Sequence, residues 1–332
     1  MLLHHKQQAS PVFWAYRFAA WLAVSRLGTL YFRHDGKKAK KGSLWWHFYL
    51  LNYAKRFSKE QMQQRCRETV SIDWVQPYHF SFYSVFFHVS AISHILYELA
   101  NQRLPYMNDR FQVWTDFFKQ PFETVDHKPE TANTKKECMY RPWFAPYCKT
   151  VTAVWIKLCR DFVCLNRDTA AYVQAECDQL LTPDRKVLGV LCRGTDYVTT
   201  KPKNHPKQPD PEEIIALCRK WIKKYGFNAI YLATDEERLL RMFREAFPGM
   251  ILENKRTYYD KIMQEQSLVS IANVRFDREN DEHLKGLEYL SSLMILSRCH
   301  SMIAGNCGGS RMALFLNSGR FAHCKIFDKG LY

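Results

Sequence analysis

Val187-Leu188-Gly189-Val190-Leu191-Cys192 is an uninterrupted apolar run, and Arg193-Gly194-Thr195-Asp196-Tyr197 follows it directly. A strand that is apolar at every position is covered on both faces, as strands are in a parallel sheet between helix layers. The run therefore predicts an inner strand of an α/β domain. The polar pentapeptide then sits at the strand's carboxyl end, where ligands of such sheets bind.

The pattern continues downstream. Asp210-Pro211-Glu212-Glu213 opens a helix, with Asp210 as cap, Pro211 at the first helical position and Glu213 closing a capping box. This helix runs to Lys224 and stops at Gly226. Asn228–Ala233 reads as a strand, and Thr234-Asp235-Glu236-Glu237 opens a second helix with Thr234 and Glu237 as its capping box. Met250–Leu252 is a short strand, Asp281 to Arg298 a helix, and His300–Ala304 a strand. Gly305–Gly309 is a glycine-rich loop, Ser310–Asn317 a helix and Cys324–Phe327 the last strand. Alternation of this kind calls for a doubly wound parallel sheet.

Upstream, Thr69–Val75 reads as a strand and Phe82–Asn101 as a helix, with Val85, Val89, Ile92 and Leu96 along one face. Arg103–Met107 is the next strand, ending at Asn108-Asp109. Two further helices cover Val151–Phe162 and Asp168–Leu181, and Thr182-Pro183-Asp184-Arg185 makes a turn at a domain boundary. The expected architecture is α/β, two Rossmann-like domains facing across a cleft. The expected divisions are a basic, aromatic N-terminal extension at 1–67, a first Rossmann-like domain at 68–184 and a second at 185–332.

The chain has 332 residues, 47% of them hydrophobic, which excludes disordered and low-complexity classes. Its 11 cysteines contain no Cys-x-x-Cys pair, against a zinc ribbon or a thioredoxin motif and in favour of a reducing, cytoplasmic setting. The net charge is +15, and residues 1–67 carry most of it: 7 Lys and 6 Arg against Asp35 and Glu60. That segment is also rich in Trp, Tyr and Phe. A peripheral site on an anionic membrane, an ordinary packing extension and a single-stranded nucleic acid site are the readings it allows, and nucleic acid is not expected as a partner. The stretch from Pro11 to Phe32 is long enough to span a bilayer, but Arg17 and Arg26 would each cost about 2.5–3.5 kcal/mol near its centre. His4, His5 and His47 read as surface residues, and His88 and His94 as packed against a helix. Glu288 and Tyr289 read as surface positions on an amphipathic helix.

Three segments follow strands and carry the candidate chemistry. In the first, Arg193 can grip a phosphate in bidentate fashion, Gly194 admits close backbone approach, and Asp196 can hold the arginine or accept a proton. Thr195 and Tyr197 flank them. In the second, Asp235 can accept hydrogen bonds from a base or a sugar. The third is Gly305-Asn306-Cys307-Gly308-Gly309-Ser310-Arg311, a turn into a helix whose backbone N–H groups and dipole favour phosphate. It matches neither the Walker A nor the Gly-x-Gly-x-x-Gly pattern. No His-Glu-x-x-His or other metal-ligand spacing occurs, so no metal and no cofactor are expected.

In this order the three segments resemble the motifs of the fucosyltransferase superfamily, which includes α1,2-, α1,6- and protein O-fucosyltransferases. The first family motif is an apolar strand ending in His-x-Arg, then an Asp and an aromatic. Here it reads Leu191-Cys192-Arg193-Gly194-Thr195-Asp196-Tyr197, with Leu191 in place of the His. The second is Ala233-Thr234-Asp235, and the third is Leu296-Ser297-Arg298-Cys299 followed by Gly305 to Ser310. The family's Gly-Gly-x-x-Asn signature is absent, and Pro77 to Ser84 occupies its place, with Tyr83 and Ser84 as candidate substrate contacts at the helix start. The resemblance implies a GT-B-like fold, with 68–184 as the acceptor-side domain and 185–332 as the nucleotide-sugar-binding domain, and a metal-independent, inverting glycosyltransferase with GDP-fucose as donor and a glycan or lipid-linked acceptor, at work in polysaccharide biosynthesis. It places Arg193 on the donor diphosphate and Ser310 on a phosphate. Asp196 and Asp109 are both candidates for the base. A transferase for another nucleotide sugar and a non-catalytic, membrane-associated nucleotide-sugar binder are the alternatives.

Overall fold

The central strand predicted from the apolar run is present. In the computed structural model Val187–Leu191 forms β4 of a five-stranded parallel sheet, buried at every position. The structure describes residues 11–35, 43–74, 86–109, 113–123, 131–132, 148–194, 197–198, 200–201, 203, 205–268 and 270–332. Two compact units emerge among them, one formed by the described residues of 8–77 and 86–166, the other by those of 167–332.

In the second unit, helix α8 (Arg167–Leu180) precedes β4, so the unit begins ahead of the turn at Thr182–Arg185. After β4 come α9 (Pro211–Tyr225), β5 (Ala229–Ala233), α10 (Glu237–Ala246), β6 (Ile251–Leu252), α11 (Asp260–Glu265), α12 (Asp281–Arg298), β7 (Ser301–Gly305), α13 (Gly308–Leu316) and β8 (Cys324–Phe327). The strand order is β6-β5-β4-β7-β8, all parallel. The chain thus winds outward in one direction from β4, then returns to lay β7 on the other side. The carboxyl ends of β4 and β7 diverge at that reversal and leave a crevice.

Local chemistry explains the elements. Asp210 and Glu213 close a reciprocal capping box on α9, with Pro211 inside it, and Gly226 ends the helix at φ +67°. That left-handed conformation is one that glycine adopts at no steric cost. On one sheet face Leu188, Val190, Ile230, Leu232 and Ile303 pack under Ile214, Cys218, Leu239 and Phe243 of α9 and α10. On the other face lies α12. Gly189 lets α12 come close, since a Cβ there would meet Leu296 Cδ1 at 2.7 Å and the Cys299 Cβ at 3.0 Å. Tyr231 of β5 is fully buried, and its hydroxyl donates to Asn254 Oδ1 at 2.8 Å and lies 3.1 Å from Ser292 Oγ of α12.

The helix expected from Ser310 begins earlier, at Gly308, because Cys307 serves as its cap. The box expected between Thr234 and Glu237 does not form on α10. Asp260 of α11 instead accepts from the backbone N–H groups of Glu237 and Arg238 at 3.1 and 3.0 Å, while Thr234 Oγ1 receives only Glu236 N at 3.4 Å.

The first unit holds the expected β-α-β start: β1 (Glu68–Trp74), α5 (Phe86–Ala100) and β2 (Arg103–Asp109), with β1 and β2 parallel and a two-residue β3 (Thr131–Ala132) on the other side of β1. Four helices precede it: α1 (Pro11–Ala23), α2 (Arg26–Asp35), α3 (Leu44–Arg56) and α4 (Lys59–Gln64). Short α6 (Val113–Phe117) and α7 (Lys149–Phe162) complete the unit. Phe13, Tyr16, Trp46, Phe48, Leu50 and Leu51 are core residues, so the described helices of the basic segment are built into this unit, while Lys37 to Lys41 lie outside the described residues. His47 is the correction here. It is fully buried, with Nε2 at 2.7 Å from the Tyr16 hydroxyl. His94 is buried, as expected for a packed histidine.

Close packing at Gly189 yields a first expectation. Gly189→Val forces α12 away from β4 and costs about 1–3 kcal/mol, as overpacking does. A lower denaturation midpoint at unchanged m-value, read by circular dichroism in urea, is the outcome to look for.

Candidate functional site

The carboxyl end of β4 is tied to that of β5. Gly194 N donates to Asp235 Oδ1 at 3.3 Å, and a Cβ on Gly194 would lie only 2.2–2.5 Å from the Glu236 carboxyl atoms. A side chain there would require the Glu236 carboxyl group to move aside. Glu236 is held in turn by Arg238 at 2.9 Å. Since Asp260 caps α10, Asp235 has no capping duty. Its side chain is buried at the edge of an open cleft with about 570 Å³ of atom-free space.

All three strand-end segments border this cleft: Cys192 and Arg193 after β4, Thr234 and Asp235 after β5, Cys307 and Gly309 after β7. The Arg193 guanidinium lies 4.3 Å from the ring centroid of Tyr197, a cation–π contact that orients it. Thr195 and Asp196 lie outside the described residues.

At the third segment, Ser310 is fully buried and committed to its own helix. Its hydroxyl donates to Cys307 O at 2.9 Å and accepts from Cys307 N at 3.1 Å. That engages within the turn the hydroxyl expected on a ligand. Gly309 has an ordinary backbone conformation, so its need for glycine comes from packing: a Cβ would meet Leu191 and Leu293 at 3.1 Å and the Tyr289 hydroxyl at 3.4 Å. Asn306 is fully buried, its Oδ1 accepts from Arg311 Nε at 3.2 Å, and Arg311 is half-buried. Gln208 braces the same turn, with Nε2 donating to Asn306 O at 2.8 Å.

The far wall was not legible in the sequence. Lys285, Glu288 and Tyr289 of α12, together with Arg256 and Tyr259 ahead of α11, line the cleft. Glu288 and Tyr289 are therefore not surface positions. Glu288 is buried and paired with Arg278 at 2.6 Å. Lys285 is almost fully buried and reaches Asp281 at 3.0 Å and Val274 O at 2.9 Å. Burial tends to raise the Asp281 carboxyl, but Arg278, Lys285 and the Phe276 N–H hold it below the usual range. Burial pushes the Tyr289 hydroxyl well above the tyrosine range, with Arg193 opposing it, so Tyr289 presents a protonated O–H. Arg256 Nε is buried without a hydrogen-bond partner among the described residues. The signals available were the Asp281–Lys285 spacing and the basic Lys255-Arg256 pair after a strand.

Other candidates lie elsewhere. Asp109 closes β2 in the first unit, with its side chain outside the described residues, as are Tyr83 and Ser84. Among the described residues, no group of three His, Cys, Asp or Glu side chains is placed to hold a metal. The described cysteines are free thiols, and burial drives Cys192, Cys159 and Cys299 upward, away from reactivity.

No protein-family model matches the chain, and no curated protein matches it in sequence. Among solved structures it is similar to fucosyltransferase NodZ from Bradyrhizobium, at 13% identity over 80% of this chain and 96% of that one, TM-score 0.44. It is similar to NodZ α-1,6-fucosyltransferase soaked with GDP-fucose, at 14% identity over 76% and 92%, TM-score 0.44. It is also similar to POFUT1 in complex with GDP-fucose, at 11% identity over 55% of this chain, TM-score 0.34. The chain spans about half the length of that POFUT1 structure.

Three substitutions test the supports of the cleft. Asp260→Ala removes the cap of α10 and costs about 0.5–2 kcal/mol, whereas Thr234→Ala costs less. Ser310→Ala lowers stability by about 1 kcal/mol through α13. Urea denaturation of the three variants side by side gives the ranking, and a Thr234→Ala loss larger than that of Asp260→Ala would contradict it.

Proposed function

We propose that the chain is an inverting glycosyltransferase whose second unit binds a nucleotide-diphosphate sugar, GDP-fucose foremost. One observation carries the reading. The three segments that resemble fucosyltransferase motifs, far apart in sequence, border a single cleft at the carboxyl ends of β4, β5 and β7. In this reading Arg193 and Arg256 face the diphosphate, and Gly308 and Gly309 N–H at the start of α13 add donors to it. Asp235 accepts hydrogen bonds from the base or the ribose. Tyr289 offers its hydroxyl as a donor.

The chemistry follows from these assignments. An acceptor hydroxyl on a glycan or lipid-linked sugar attacks the anomeric carbon from the face opposite the diphosphate. The new C–O bond forms as the bond to the β-phosphate oxygen breaks, and GDP leaves with the electron pair. Arg193 stabilises the charge that grows on the departing oxygen, which favours the transition state over the ground state. The acceptor proton passes to a carboxylate, with Asp196 and Asp109 as the two candidates. The work would belong to polysaccharide or glycolipid assembly.

A panel of GDP, UDP, ADP and CDP in calorimetric titrations tests the donor, with GDP expected to bind at least about tenfold tighter than the rest, or about 1.4 kcal/mol. Arg193→Ala should lower kcat/KM with GDP-fucose by about 30–1000-fold while stability changes little, and Arg193→Lys should also be poor because an ammonium lacks the planar fork. Near-normal turnover in Arg193→Ala would remove the centre of the proposal. GDP binding without turnover across a wide acceptor panel would favour a non-catalytic binder instead.

A further inference from the structure

Helix α1 has the sequence PVFWAYRFAAWLA, with Arg17 as its one charged residue. Phe13, Tyr16, Ala20 and Ala23 face inward. The opposite side carries Trp14, Phe18 and Trp21, which are 52%, 63% and 56% exposed. Their spacing of four and three residues puts them in one row along the helix. Val12 and Leu22 are exposed beside them. Adjoining helices extend the pattern, with Leu27, Leu30 and Tyr31 exposed on α2 and Leu44 and Trp45 on α3, the rings of Tyr31 and Trp45 being 5.1 Å apart. A single exposed leucine is ordinary, but aromatic rows at helical spacing mark a surface that something covers.

Charge says what covers it. Residues 11–34 contain no Asp or Glu, and residues 1–67 hold only Asp35 and Glu60 against 7 Lys and 6 Arg. Arg17 is exposed and sits 4.9 Å over the Trp14 ring, and Arg26 is exposed at the start of α2. Trp and Tyr rings level with arginines form the chemistry of a headgroup layer, where rings settle between water and acyl chain and cations meet anionic lipid. At 1.5 Å per residue, the 13 residues of α1 reach about 20 Å, short of the ~30 Å hydrocarbon core. Among the described residues, no helix is long and apolar enough to cross a membrane. We propose that α1, with the adjoining ends of α2 and α3, docks in the plane of an anionic lipid bilayer through Trp14, Phe18 and Trp21. The surface stands independently of the donor reading, and it would bring the chain to acceptors displayed at a membrane.

The test uses the full chain with vesicles of phosphatidylglycerol and phosphatidylcholine, and with phosphatidylcholine alone, at low and high salt. Co-sedimentation is expected with the anionic vesicles, declining as salt rises. The combined variant Trp14→Ser, Phe18→Ser, Trp21→Ser should lose vesicle affinity by about tenfold or more, since each ring removed takes apolar burial with it. Near-UV circular dichroism and GDP titration of the same preparations separate loss of the surface from loss of the fold. Should the variant not fold, tryptophan quenching of the unmodified chain by brominated lipid takes its place, with quenching expected on anionic vesicles. Full-length protein that ignores anionic vesicles at low salt overturns the proposal. So does a variant that folds and binds vesicles as well as the parent, or an absence of quenching. A concentration-dependent dimer that the variant abolishes, without vesicle binding, assigns the face to a second copy and also overturns it. Vesicle binding with no GDP affinity leaves this surface standing and sinks only the donor reading.

Discussion

The tie between Gly194 N and the Asp235 carboxylate joins the ends of two neighbouring strands, and the cleft of the second unit is arranged around it. Strands β4 and β5 are already held by their ladder, which ends at Leu191 and Ala233. Past that point Cys192 N still donates to Ala233 O at 3.1 Å, Tyr259 N donates to Asp235 O at 2.9 Å, and the Gly194–Asp235 bond, with the carboxyl group of Glu236 lying against Gly194, joins the two departing chains. Arg193 is thereby set on one rim and Asp235 on the other. The third rim, the start of α13, follows from strand order: β7 is laid against β4 on the side away from β5, so its end opens toward the same crevice.

What the sequence revealed and what it concealed follow from the same physics. β4 was legible because a strand covered on both faces has no polar position to interrupt it. The start and stop of α9 were legible because Asp210, Pro211, Glu213 and Gly226 act within one turn of the residues they serve. The cap of α10 was misread because the group that satisfies Glu237 and Arg238 comes from Asp260, 22 residues beyond Arg238. A composition that suits a capping box also suits a helix start whose donors are met from elsewhere. Ser310 was legible as a special residue of its turn, but its hydroxyl serves Cys307.

Helix α12 concealed the most. Nearly every residue from Lys285 to Ser297 is buried, between the sheet and α8 and α13. A helix covered on most sides has no clear polar stripe, so Glu288 and Tyr289 could not be distinguished from surface residues by period. Lys285 is tolerated inside because Asp281, one turn earlier, answers its charge. The basic aromatic segment was legible in composition but not in placement. Six of its thirteen Phe, Trp and Tyr rings are buried and five are exposed, and only packing decides which.

The hydroxyl of Tyr231 has a consequence for how the second unit meets a ligand. It fastens β5 to Asn254 and Ser292 at the middle of the sheet, and Asn254 in turn donates to the Glu288 carbonyl at 3.2 Å. The wall that carries Lys285, Glu288 and Tyr289 is therefore tied to the sheet by hydrogen bonds that resist its swinging as a separate body. A guest entering the cleft meets side chains already in position, and little conformational entropy is lost on that side when it binds. Discrimination between guests then falls to shape and polarity at the point of contact, because a stiff wall penalises a poor fit that a yielding one would accommodate.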